Sequence, residues 1–409
     1  MKNLEILIQE LCPDGVEFRT MEEIFEIRNG YTPSKNNPDF WESGTIPWFR
    51  MEDIRQNGRI LSDAIQHITP AAIKGKGLFP ANSIIIATTA TIGEHALVIA
   101  DSLANQRFTN LTVRKSLSAC LLPKFVFYYM FVIDEWCKKN VNAGNFASVD
   151  MKRFKKLEFP LPPIEVQTEI VRILDKFTSL EAELEAELDC RKRQYEYYRD
   201  KLLSFDNVGG QEVEWKKMSE ICKIICSGGT PLTSKPEYYD GNIPWLRTQE
   251  VDYCEIHSTL RNITQLGLEN SSAKMIPANC VIVAMYGATA AKVAINKIPL
   301  CTNQACCNLE IDEDKALVRY VYQWICKQYE VLKAMGEGSQ HNINAKKVKD
   351  FKIPIPSLKE QNRIVSILDR FESLTTSLQS GLPAEIAARR QQYEHYRDKL
   401  LTFKRKGAA

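Results

Sequence analysis

The chain has 409 residues, with 53 Lys and Arg against 51 Asp and Glu, a net charge of +2. That length suits two or three domains with their own cores, and the near-neutral balance excludes a uniformly basic nucleic-acid coat. No apolar run approaches the ~20 residues of a membrane span, and MKNLEILIQELCPDG carries acids inside its apolar part, a poor signal peptide. A cytoplasmic location is expected.

Taken in chain order, residues 1–14 form a short helical segment, with Leu4–Leu11 as its apolar part. A mixed domain over 15–160 comes next. Its short strands are expected at Ser83–Ala87, Leu97–Ala100 and Leu111–Val113, and a helix at Pro123–Lys138. The exit PLPP launches a long helix over 161–208, with Pro where its missing N–H costs little. Ile170, Leu174, Phe177, Leu184, Leu188, Tyr195, Tyr198, Leu202 and Phe205 fall on its seam at alternating spacings of four and three, a coiled-coil pattern that Glu181 and Arg191 interrupt.

The remainder repeats this plan. A second mixed domain over 209–355 carries expected strands at Cys280–Ala284, Val293–Ile295 and Asn308–Ile311 and a helix at Val318–Met335. A second helical region over 356–405 repeats the seam with Ile364, Leu368 and Phe371, then Tyr393, Tyr396, Leu400 and Phe403. Gly381 and Pro383 are expected to kink or break it near 380–384. "TPSKNNPDFWESGTIPWFR" (32–50) answers "TPLTSKPEYYDGNIPWLR" (230–247), Asn105-Gln106 answers Asn303-Gln304, and "QYEYYRDKLLSF" (194–205) answers "QYEHYRDKLLTF" (392–403), at offsets between 194 and 198. The period is too long for a solenoid, so these are two whole homologous domains, each with its own helix. The fold class is mixed α/β (α+β). The two long helices are expected to pair as an antiparallel coiled coil, with a rough twofold and a nearly cyclic closure by the N-terminal segment. On that seam the two repeated helix ends are expected to lie opposite one another.

Catalytic motifs are sparse. There is no G-x-x-x-x-G-K-[ST], no G-x-S-x-G and no H-E-x-x-H, and five histidines stand at no ligand spacing. Twelve cysteines include no Cys-x-x-Cys, so reduced thiols and no metal are expected. Asn37-Pro38-Asp39-Phe40 has a faint likeness to the box that holds adenine in methyltransferases. It lacks the second Pro, and its counterpart Lys235-Pro236-Glu237-Tyr238 lacks the Asn.

The duplicated T-P-x…IPW-x-R, NQ, Q-x-x-I-V-x-I-L-D-[KR]-F and QYE-x-YRDKLL-[ST]-F motifs cover nearly the whole chain, which resembles the specificity (S) subunit of type I restriction–modification enzymes. The resemblance implies two target-recognition domains, each reading half of a split, asymmetric double-stranded DNA site. It implies that the helices fix the half-site spacing and dock two methyltransferase (M) subunits, which restriction (R) subunits join. S-adenosylmethionine, ATP and Mg then belong to those partners, with no cofactor and no catalysis on this chain. A self-sufficient adenine methyltransferase or nuclease, or a coiled-coil adaptor for proteins only, are the alternatives.

Features shared by the halves cannot encode unlike half-sites. Trp48, Trp245 and the two Asn-Gln pairs are therefore read as structural. Arg50, Arg247, Lys152, Arg153, Lys346 and Lys347, in regions that both halves keep, are read as candidate phosphate contacts. Unlike stretches supply the base-reading candidates Arg55, Arg59, Lys74, Lys76 and Asn145 in the first domain, and Gln249, Lys274, Gln340 and His341 in the second. Arg199, Lys201, Arg397 and Lys399 lie off the seam and are candidates for partner docking. "EAELEAEL" (181–188) is a tandem tetrapeptide on the long helix, and is read as a spacing ruler.

Overall fold

The paired exit motifs determine how each half is tied together. In this computed structural model, which describes residues 2–142, 147–205, 213–337, 342–376 and 381–407, Gln167 sits one turn into the first long helix with its side chain fully buried. Its amide donates to the carbonyls of Cys120 and Pro162 (both 2.7 Å) and accepts from the Leu122 N–H (2.9 Å). Gln361 repeats the clamp on Lys315, Pro356 and Leu317. Each glutamine thus ties the Pro-rich exit to the start of the helix that Leu122 or Leu317 introduces.

Six helices matter below: α1 (Lys2–Leu11), α2 (Pro123–Lys139), α3 (Ile164–Leu202), α4 (Val318–Lys327), α5 (Leu358–Thr376) and α6 (Leu382–Leu400). The chain divides into two compact units, Met1–Leu184 with Ile386–Ala409, and Glu185–Glu385. Only the first is discontinuous in sequence, and neither boundary falls between the two copies. The first unit joins the first mixed domain to the end of the second copy's helix. The second unit joins the second mixed domain and α5 to the end of the first copy's helix.

In the first unit a five-stranded sheet runs in the order Phe25–Asn29, Phe108–Val113, Ser83–Ala87, His95–Val98, Ile60–Leu61. Its pairs are antiparallel except the last. Beside it a three-stranded sheet centres on Ile46–Phe49, and Glu17–Thr20 pairs with Glu158–Leu161. The second unit repeats the plan: Cys222–Ser227, Cys306–Ile311, Val281–Ala284, Val293–Asn296, Cys254–Ile256, then a four-stranded sheet around Tyr239–Leu246, and Glu214–Lys217 against Lys352–Ile355. Fully buried runs such as Ser83–Ala87 are covered on both faces, which is why they read as unbroken apolar stretches.

Two expectations are corrected. The strand placed at Leu97–Ala100 runs instead over His95–Val98, because His95 is a buried strand residue whose polarity hid it. The helix expected over Val318–Met335 is two, broken at Gln328, whose N–H bonds back to both Trp324 and Ile325; Tyr329, which opens the second helix, meets Tyr253 edge-to-face.

The helix pairing is antiparallel in each unit. In the first, Phe177 of α3 stacks on Tyr396 of α6 (5.5 Å, 26°), and Glu181, one turn on, pairs with Arg390. In the second, Tyr198 of α3 stacks on Phe371 of α5 (5.3 Å, 22°). The repeated helix ends therefore do not face each other: each Tyr meets the Phe of the other copy's helix. Glu181 interrupts the heptad because it faces a cation, whereas Arg191 turns to Glu187 and Gln194 on its own helix.

The seam is graded. Ile170, Leu174, Ile364 and Leu368 are fully buried. Leu184, Leu188, Tyr195, Leu202, Phe205, Tyr393 and Phe403 are half-buried, and Leu400 is buried. Beyond the helix ends, Leu203 and Leu401 enter the two main cores, with exposures of 0% and 3%. Truncating either to Ala removes a buried leucine at a docking end, with an expected cost of about 3 kcal/mol. Thermal unfolding checks this, and an unchanged midpoint in both variants would contradict the assignment. The N-terminal segment joins the same core: Leu4 of α1 and Cys12 lie with Leu400 and Leu401, and the Val16 N–H donates to the Lys404 carbonyl (2.8 Å). α6 begins directly after Gly381, with Pro383 in its first turn, whereas Ser380 of the expected break lies outside the described residues.

Candidate nucleic-acid interface

The duplicated motifs converge on one cluster in each unit. In the first, the Trp48 ring N–H donates to the Tyr31 carbonyl (3.0 Å), and Thr32 donates to the side-chain carbonyl of Gln106. In the second, Trp245 donates to Gly229 (3.0 Å), and Thr230 donates to Gln304. Gly30 and Gly228 permit this approach: a Cβ on Gly228 would meet the Thr302 carbonyl oxygen at 2.0 Å, and one on Gly30 that of Ala104 at 2.3 Å. The Thr-Pro arm is thus pinned to the Asn-Gln turn by a Trp and a Gln in both halves, a scaffold use of repeated residues.

Arg50 and Arg247 end the same strands. The Arg50 N–H donates to Asp53 (2.7 Å), which also accepts from Ile65; Arg247 and Leu260 use Glu250 in the same way. The Arg50 guanidinium lies 5.9 Å from the Trp48 ring. Both arginines have a buried Nε without a hydrogen-bond partner. That of Arg247 lies 3.9 Å from the Glu250 carboxylate, which leaves the outer nitrogens of each guanidinium to meet an incoming anion.

The unlike loops frame this cluster. Gly75 and Gly77 adopt φ of +62° and +77°, and Arg28 donates to the carbonyls of Lys76 (3.0 Å) and Leu78 (2.6 Å). The Lys74 N–H donates to the Tyr31 hydroxyl (2.8 Å). This loop therefore presents Lys74 and Lys76, both exposed, beside the Thr-Pro arm. Arg55 is exposed at the end of the short helix Met51–Asn57. In the second unit Gln249 is exposed on the turn Thr248–Glu250, to which Thr289 donates (2.8 Å), and Lys274 is exposed beside the segment that Gly229 touches. Asn145, Gln340 and His341 lie outside the described residues.

Arg59 is placed elsewhere. It donates to the His95 carbonyl (3.1 Å), lies over the Phe131 ring at 5.2 Å and approaches Asp134 at 3.9 Å. His95 and Asp134 form a buried pair at 2.6 Å, and burial holds the imidazole's pKa below its ordinary value despite the carboxylate. Arg59 thus belongs to a polar knot against α2; nothing in its local sequence signals that, because the partners lie far along the chain.

Lys152 and Arg153 are exposed on a short helix capped by Asp150, and Lys346 is exposed on its counterpart capped by Asn344. Lys347 is turned inward, donating to the Met335 carbonyl (2.6 Å) and pairing with Glu337, and is not a free phosphate contact in this structure. At the helix ends, Arg199 lies over Tyr195 and Arg397 over Phe131, each bound to the adjacent Asp. Their side chains are only 19% and 16% exposed, so they are packing residues; Lys201 and Lys399 remain exposed.

Two exposed residues escape a comparison that searches only for long unlike stretches. Arg107 comes directly after the repeated Asn-Gln, where the other copy has Ala305, and Tyr286 stands where the first copy has Thr89. Arg107 is the first residue to differ after the repeated Asn-Gln, the signal that could have found it; Tyr286 has no such mark.

All twelve cysteines are free thiols, and burial pushes Cys307 up to about 12. Among the described residues no three His, Cys, Asp or Glu side chains are placed to hold a metal, and no helix is long and apolar enough to cross a membrane.

A family model for the type I restriction modification DNA specificity domain matches the chain twice, over residues 13–189 and 211–388. This chain belongs to the type I restriction–modification specificity subunits. The chain is 38% identical to the EcoprrI specificity subunit of Escherichia coli over 91% of its length and 92% of the relative's. It is 41% identical to the EcoR124I/EcoR124II specificity subunit of the same organism, over 69% and 71%. A chain from a structural study of complex assembly and conformational transition of the type I system shares the fold, with a TM-score of 0.63 at 16% identity over 95% and 97% of the two chains. The paired domains and antiparallel helix contacts are therefore those of a specificity subunit, and membership places the chain in a type I restriction–modification complex.

Proposed function

We propose that each mixed domain of this specificity subunit reads one half of a bipartite, asymmetric double-stranded DNA site. One observation carries the reading. The two domains share the scaffold hydrogen bonds of Trp48 and Trp245, Gln106 and Gln304, and Arg50 and Arg247, yet surround them with unlike exposed loops. A common frame holds the backbone in register, and different side chains on it select different bases. In this reading the chain catalyses nothing and binds no cofactor. It docks two M subunits along its helices, R subunits join them, and S-adenosylmethionine, ATP and Mg reside on those partners in the cytoplasm.

Methylation mapping tests it. Mixed with its M partner, the chain should direct methylation to one split sequence; alone it should bind no S-adenosylmethionine. Methylation by the chain alone would sink the noncatalytic reading, and an unselective complex would point to a protein-only adaptor.

Phosphate contacts have a separate signature. Lys152→Ala and Lys346→Ala should each weaken binding to all sequences alike and flatten the log–log salt slope by about 0.9. Binding titrations at several salt concentrations read both effects; a change in preferred sequence would reassign either lysine to base reading.

A further inference from the structure

We infer that Arg107 is a base-reading residue of the first domain, donating to a guanine, and that Tyr286, from the neighbouring scaffold position, serves the second. This rests on the DNA-reading role proposed above and names residues within it.

The first domain, residues 15–160, contains eight arginines, at positions 19, 28, 50, 55, 59, 107, 114 and 153. The structure sorts them. Arg19 pairs with Glu17, Arg28 holds the Lys76–Leu78 carbonyls, and Arg114 binds the Glu22 carbonyl. Arg59 joins the buried knot, while Arg50 and Arg153 lie over Trp48 and Trp136. Arg55 and Arg107 are exposed, and neither guanidinium has a hydrogen bond, ion pair or ring contact among the described residues. Of these two only Arg107 is fixed within the motif cluster. Its N–H donates to the Asn105 side chain (3.0 Å), its carbonyl accepts from the Thr88 N–H (3.0 Å), and the adjacent Gln106 accepts from Thr32. A backbone held on both sides, carrying an uncommitted fork of donors, is an arrangement that can meet the O6 and N7 acceptors of guanine in the major groove.

The second domain keeps the same backbone and changes the side chains. The Met285 N–H donates to the Ala305 carbonyl (2.8 Å), the counterpart of the Thr88–Arg107 bond, so the two backbones match in their bonding. On that common backbone the side chains are exchanged. The first domain sets Arg107 beside the half-buried Thr89; the second sets a small, buried Ala305 beside Tyr286, which is 40% exposed. Where one domain offers a guanidinium, the other offers an aromatic face, suited to apolar contact with a base such as the thymine methyl. A repeated scaffold with chemically unlike side chains at two neighbouring positions is what two readers of unlike half-sites require.

The test uses the full chain in complex with its M subunit. Methylation is measured on duplexes carrying each base at every position of both half-sites. Arg107→Ala should lose guanine preference at one position of the first domain's half-site, by about tenfold to a hundredfold, with the other half-site and the thermal midpoint unchanged. Arg107→Gln should move the preferred base at that position toward adenine, and Tyr286→Ala should relax one position in the opposite half-site. An equal loss on all sequences would make Arg107 a phosphate contact and overturn the inference, as would unaltered preference at every position. A wild-type complex with no selectivity would instead sink the DNA-reading role itself.

Discussion

Gln167→Leu is expected to lower the stability of the unit containing the first domain by about 3–5 kcal/mol. The substitution leaves volume nearly unchanged but removes all three hydrogen bonds of a fully buried amide. The Leu122 N–H and the Cys120 and Pro162 carbonyls lose their partner, at about 1–3 kcal/mol each when buried. For a unit of this size the thermal midpoint should fall by about 10 °C. Gln361→Leu should act alike in the other unit, where the same three bonds recur. A midpoint drop under about 2 °C in both variants would show that water replaces the amide and that the clamp is dispensable. The consequence reaches function, because this amide fixes where α3 leaves its domain.

Removing one tetrapeptide, Glu185–Leu188, is expected to shorten the preferred gap between half-sites by one to two base pairs. Four residues span ~6 Å of helix, and duplex DNA rises ~3.4 Å per base pair. The deletion also rotates the downstream part of α3 by only about 40° beyond a full turn, so its seam residues nearly recover their faces. It removes no residue of the Phe177–Tyr396 stack or the Glu181–Arg390 pair, which precede the deletion, or of the Tyr198–Phe371 stack, which follows it. Mapping methylated sites in genomic DNA with each version reads the spacer directly. An unchanged spacer with full methylation would mean that the tetrapeptide is a surface stripe of good helix formers and no ruler.

Much of the site was legible in the sequence because its signals are local or repeated. Duplication separated the scaffold from the variable loops, and the structure places Trp48, Trp245, Gln106 and Gln304 in matching bonds. Individual basic residues were less legible. Lys347, Arg59, Arg199 and Arg397 look like surface charges in a string of letters, yet each finds a carbonyl, ring or carboxylate that its spacing does not announce. The commitment of a long cationic side chain depends on what stands within about 4–6 Å of its tip, and sequence spacing does not report that.

Periodicity and self-similarity, both written along the chain, were enough to establish two copies of one domain-and-helix plan, the positions of the helices and the motifs that form the frame. Which pieces join into a folding unit was decided only in three dimensions. The end of each copy's helix completes the other copy's domain, with Leu203 buried beside the second domain and Leu401 beside the first. Both leucines carry the same apolar pattern in the same phrase, so nothing local distinguishes which core each enters. That choice is set by antiparallel pairing, in which stacking Phe177 on Tyr396 and Tyr198 on Phe371 brings each helix end to the opposite copy's domain.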